Sequence, residues 1–162
     1  MQYLATHSSP QQQKAASSSV LDLVGKVWNL PNTVIGLVYG GLGDLAGWIG
    51  YAFGWQADAP GIQFGSNGIQ FTHNPFAYAG AITFGNVEIY GGLQPGDPSP
   101  ESPFHTTAQH EDQHTYQGQV VGPLYVPLAI LSLAAGMLFN GDSHGPASFM
   151  ERGPQQDPPI PW

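Results

Sequence analysis

The chain has 162 residues, about one domain's worth, and only 9 % of them are charged: 3 Lys plus Arg against 11 Asp plus Glu, a formal net charge of −8. Lys14, Lys26 and Arg152 cannot form the basic patch that phosphate neutralisation needs, which excludes nucleic acid as a partner and attraction to anionic lipid headgroups. There is no cysteine, so a disulfide framework, a thiolate zinc site and a cysteine nucleophile are excluded too.

Residues 1–18 are polar and low in complexity, with a Gln11-Gln12-Gln13 run and clustered serines, and read as a disordered lead. They lack the basic and apolar regions of a secretory signal, so the default expectation is cytoplasmic. Ser19 caps a helix over about Val20 to Trp28, where Leu21, Val24 and Trp28 recur at spacings of three and four, and Pro31 stops it. Asn32 or Thr33 caps a second segment, Val34 to about Phe53. Between Val34 and Trp55 the only charge is Asp44, and the glycines include Gly36-x-x-x-Gly40 and Gly43-x-x-x-Gly47. Small residues at that spacing let helices approach closely in membranes. The mid-segment Asp44 and moderate hydrophobicity favour a buried core helix over membrane contact for 34–55.

The middle of the chain reads as β. Gly61-Ile62-Gln63-Phe64 nearly repeats as Gly68-Ile69-Gln70-Phe71, and Asn67-Gly68 is a turn signal, so a hairpin is expected. A second hairpin pairs Ala81–Phe84 with Val87–Tyr90 around Gly85-Asn86. Residues 94–100 form a Pro- and Gly-rich loop. A helix then runs from Thr106 to about Val121 and breaks at Gly122-Pro123. The charge-free run Leu124 to Phe139 is at the lower edge for spanning a bilayer. Pro127 near its start and the Asn140-Gly141 stop favour a buried core helix over membrane contact for 122–139. The proline-rich tail, Pro154 to Trp162, is expected to lie extended over the surface.

Chemistry concentrates in His110-Glu111-Asp112-Gln113-His114, an H-E-x-x-H motif. Residues four apart share a helix face, so both imidazoles reach one ion. Glu111 stands beside that face and serves as general base on water activated by zinc. A catalytic zinc wants a third protein ligand and an open position. The downstream candidates are Glu151 and His144. Glu151 is the first choice: it lies beyond the apolar run, a distance that a helical hairpin closes, and is one of only four glutamates. His105 precedes the motif helix by one residue and reads as a capping or exposed residue, with lining the cleft as the alternative, and His73 has no evident partner. Tyr116 points away from the ligand face; Tyr125 is the better phenol donor, and the second hairpin offers an edge for an extended peptide.

Residues 105–131, HTTAQHEDQHTYQGQVVGPLYVPLAIL, resemble a group of small bacterial proteins with an H-E-x-x-H-T-x-Q-x-x-x-x-G-P-L-Y-x-P signature, and through it the zincin metallopeptidases. Trp28–Leu37, Ala81–Val87 and Glu151-Arg152-Gly153-Pro154 carry further likeness. The resemblance implies Zn2+ as cofactor, His110, His114 and Glu151 as its ligands, and a peptide or protein substrate. The expectation is therefore a single α+β, zincin-like domain over 19–162, with apolar helices, two β-hairpins and an H-E-x-x-H helix. The expected function is a zinc-dependent hydrolase with Glu111 as base. The alternative is a non-catalytic module, metal-stabilised or membrane-associated. The oligomeric state stays open.

Overall fold

A computed structural model describes residues 20–65, 67–78 and 80–162. The expected lead at 1–18 lies outside the described residues. The fold is α+β. Helices α1 (Val20–Trp28) and α2 (Leu30–Ala52) come first, followed by strands β1 (Gly61–Gly65), β2 (Gly68–Thr72), β3 (Ala81–Phe84) and β4 (Val87–Tyr90). A short pair, β5 (Pro98–Ser99) and β6 (Ser102–Thr106), leads into α3 (Thr107–Val121), a 3-10 turn (Gly122–Leu124) and α4 (Tyr125–Asn140).

The first four strands form one sheet in the order β1-β2-β4-β3. Both expected hairpins are present, and the central β2–β4 pairing is parallel. The period-2 alternation of the strands gives the sheet two unlike faces. Phe71, Val87 and Ile89 form the buried apolar cluster, with Tyr39, Ile82 and Phe84 packed on it. That face meets α2. The opposite face is polar: Gln63, Gln70, Glu88 and Thr83 stand in register across all four strands. Gln63 donates to Gln70, and Gln70 donates to Glu88. Thr83 reaches across to α3, where it meets Glu111.

Pro31 does not separate two helices as expected. It sits in the first turn of α2, where a missing N–H costs nothing and the ring's fixed φ suits the helix. Asn32 and Thr33 are therefore buried inside the helix rather than caps: Asn32 donates to the Gly122 carbonyl, and Thr33 accepts from Asn86 N.

The core-helix expectation for 34–55 and 122–139 needs correcting. α2 buries Gly36, Gly40, Gly43 and Gly47 and leaves Val34, Val38, Leu42, Leu45 and Trp48 exposed. The physical reason is backbone approach. A Cβ on Gly36 would lie 2.7 Å from Val87 Cβ, and one on Gly40 2.7 Å from the Phe71 ring. Only the glycine stripe lets α2 sit this close to the sheet. α4 likewise buries Ser132 and Gly136, and exposes Ile130, Leu131, Leu138 and Phe139.

Candidate metal centre

α3 begins with a complete capping box. The Thr106 hydroxyl accepts from Gln109 N, and the Gln109 side chain accepts from Thr106 N. The cap fixes where the helix starts, and so which face carries His110 and His114. Gly122, at φ +58, ends α3 against the Trp28 indole.

His110 and His114 are both buried, and their Nε2 atoms lie 3.3 Å apart. Glu151 Oε2 sits 3.3 Å from His110 Nε2 and 3.4 Å from His114 Nε2. The three atoms make a nearly equilateral triangle. Ligands placed about 2.05 Å from a tetrahedral zinc ion stand about 3.3 Å from one another. Glu151 Oε2 is buried without a hydrogen bond of good geometry, as is His110 Nδ1. A buried carboxylate oxygen aimed at two imidazoles and left unsatisfied fits a cation at the centre of the triangle. The donor set, two nitrogens and one oxygen, is one that a divalent cation takes.

Glu151 arrives from the turn region after α4. The Ser132 hydroxyl accepts from Met150 N at 2.8 Å and pairs with Ser148 Oγ at 3.0 Å, fixing that turn. His144, the other candidate third ligand, is exposed and bonds Ser143 instead. His73 lies 3.9 Å from Asp58 and is not in the group of His110, His114 and Glu151.

The electrostatics follow from burial. Burial alone would lower the His114 imidazole, but the negative charge of Glu151, then Glu111 and Gln117, raise it to about 9. Burial alone would raise Glu151, but the His114 and His110 imidazoles hold it well below the usual carboxylate range. The metal-free centre is thus a tight ion pair with one proton where a cation would sit. Burial, then Glu111 and Glu151, keep the Tyr125 phenol well above its usual range, so it remains protonated beside both carboxylates. Burial, then the charges of Asp112, Asp22 and Glu88, raise the Tyr116 phenol.

Four residues support the centre; Thr83, Gln117 and Asp157 were not singled out from the sequence, and His105 was given another role. Thr83 Oγ1 donates to Glu111 Oε2 at 2.7 Å. Gln117 Oε1 accepts from His114 Nδ1 at 2.9 Å, so Nε2 keeps its lone pair for a metal. One turn from His114 on the same face, Gln117 was findable by spacing alone. His105 is the third. It is neither capping nor exposed but buried, and its Nδ1 bonds Asp157 Oδ1 at 2.7 Å. Its ring stacks 6.3 Å from His110. Asp157, the fourth, belongs to the tail, which folds back rather than lying extended: Ile160 N bonds Gly153 O, and Pro161 O accepts from Gln117.

A scan against protein-family models, a search of curated proteins and a search of solved structures each found no match. The functional reading rests on the geometry.

Proposed function

We propose that this chain is a zinc-dependent hydrolase of zincin-like build, acting on peptide bonds. The observation that carries the reading is the triangle of His110 Nε2, His114 Nε2 and Glu151 Oε2, with edges of 3.3, 3.3 and 3.4 Å. His110, His114 and Glu151 would hold the ion. Zinc, when bound, supplies a Lewis acid that brings the pKa of water to about 7 and polarises a carbonyl.

The remaining work falls to the chain's own groups. Glu111 adjoins His110 in sequence, and the Thr83 hydroxyl occupies one of its carboxylate oxygens. The other oxygen, Oε1, is available to take a proton from water and pass it to a leaving amine. Tyr125 offers a protonated phenol in the same field. Gln117 holds the His114 ring and, through its Nε2, the Met150 carbonyl next to Glu151. One side chain therefore sets the mutual position of two ligands.

The test is a pair of purified proteins. The native chain, loaded with zinc, is expected to cleave members of a peptide library. Glu111→Gln is expected to keep its metal and lose turnover by at least about 100-fold, the usual contribution of a positioned general base. A fully active Glu111→Gln variant would remove the base from this scheme.

A further inference from the structure

The apolar helices are packed inside out. Asp44 is the only charge on α2; it is buried and accepts from Asn74. The outer face of α2, from Val34 and Val38 to Leu45, Trp48 and Ile49, is 48–60 % exposed and carries no charge. α1 buries no residue at all. α4 hides Ser132 and Gly136 and shows solvent its branched side chains. α1, α2 and the start of α4 meet around Gly122, which abuts Trp28 and accepts from Asn32. Small and polar residues inside, with branched aliphatics outside, is the packing rule of lipid-facing helices.

We propose that this shell rests on neutral lipid, with α2 lying in the plane of the bilayer surface rather than crossing it. Three observations choose lipid over a second copy of the chain. Exposed large apolar side chains run along α1, α2 and α4, from Val20 to Phe139, whereas an ordinary monomer shows one apolar patch of a few hundred Å² and a standard dimer covers about 800 Å² per partner. They spread over three helices rather than one self-complementary patch. Aromatics cluster where α2 ends: Trp48 meets Tyr51 at 5.9 Å, and Phe53 stacks on Trp55 at 5.1 Å, with Trp55 78 % exposed. Amphipathic rings at a helix end are the residues of the membrane–water interface.

The sheet decides between lying and crossing. Two stretches are long and apolar enough to cross: α2, at 23 residues, and Thr107–Asn140, which carries the buried His110 and His114. But the sheet and its loops pack against α2 from Gly36 to Gly47, through Val87, Phe71, Asn74 and Pro60. If α2 crossed, the sheet would enter hydrocarbon with the free edges of β1 and β3 unpaired. Backbone groups in lipid cannot stay unpaired, so open sheets do not occur there. An in-plane α2 puts its apolar face into lipid and leaves the sheet and the metal centre outside.

The test uses the full chain and phosphatidylcholine vesicles. Flotation with neutral vesicles is expected, unchanged from low salt to 1 M salt, because the contact is apolar. At low salt, phosphatidylserine should weaken binding, since the chain's net charge is −8. The double change Val38→Glu and Leu45→Glu on the outer face should lower partitioning by about tenfold or more. Val34, Gly41 and Trp48 are seven residues apart on the exposed face, and the chain has no cysteine of its own. Single labels at Val34→Cys, Gly41→Cys and Trp48→Cys should be quenched equally by shallow nitroxide lipids. Deep quenching confined to position 41 would show a crossing helix and overturn the in-plane placement. Should those variants fail to fold, brominated phosphatidylcholine must quench the native tryptophans, since Trp28, Trp48 and Trp55 are exposed. No flotation with neutral vesicles, or a detergent-free dimer that does not float, would overturn the proposal.

Discussion

His114 and Gln117, one turn apart on α3, face each other at 2.9 Å between imidazole Nδ1 and amide Oε1. The same amide donates through Nε2 to the carbonyls of Met150 and Pro161. Gln117 therefore ties the motif helix to the turn that carries Glu151. Gln117→Ala is expected to weaken zinc binding about 10- to 100-fold, as loss of a ligand's outer partner does elsewhere. Competition against a chromophoric chelator measures it. Unchanged affinity would show that the ring needs no such support.

Thr83 makes a separable prediction. Thr83→Val keeps the side chain's shape but removes the donor to Glu111 Oε2. Zinc content should stay at the native level while kcat drops about tenfold or more, the order expected for a hydrogen bond to a charged group. KM should move little. A variant that loses its metal would assign Thr83 to the fold rather than to Glu111.

The raised His114 imidazole sets a pH dependence for metal uptake. With a value of about 9, the group carries its proton at pH 7 in the metal-free chain. An ion must displace that proton. Zinc binding at pH 7 is expected to release about one proton, and affinity should rise about tenfold per pH unit until pH nears 9, then level off. Calorimetry in buffers of different ionisation enthalpy reads the proton count. No release at pH 7 would contradict the ion pair in the empty site.

Glu88 provides a stability test apart from the metal. Burial, then the charge of Asp112, raise its carboxyl well above the ordinary 4.5, while Tyr90 and Gln70 donate to it. A group raised in the folded state stabilises fully below its unfolded value, and the contribution is lost as pH rises through the folded value. Native stability should therefore fall from about pH 4.5 upward relative to Glu88→Gln, which keeps the shape without the charge. Chemical denaturation of both proteins across that range, with chelator present, gives the comparison. Parallel curves would place no buried proton on Glu88.

The glycines of α2 divide by what faces them. A Cβ on Gly43 would fall on the Asn74 amide, whereas one on Gly41 meets nothing within 4 Å. Gly43→Ala should destabilise by about 1–3 kcal/mol through overpacking. Gly41→Ala should be neutral or stabilise by up to about 1 kcal/mol through helix propensity. Equal effects at both positions would remove the close packing described for α2.

Much of this was legible in the chain. The spacing of Leu21, Val24 and Trp28 marked α1, Gly85-Asn86 marked the second hairpin, and Thr106 marked the start of the motif helix. What escaped depends on distance or on reversed burial. Asp157 reaches His105 across 52 residues, and no local pattern announces that pair. Apolar residues at helical spacing normally point inward, so α2 and α4 read as core. Here glycine, asparagine and serine take the inner positions because backbones touch, and hydropathy alone does not signal that choice.

Metal content is the most direct test of the central claim. The native chain, supplied with zinc and then desalted, should retain about one equivalent, Glu111→Gln should retain the same, and Glu151→Ala should lose it. Less than about a tenth of an equivalent in the native chain would contradict a metal site at His110, His114 and Glu151.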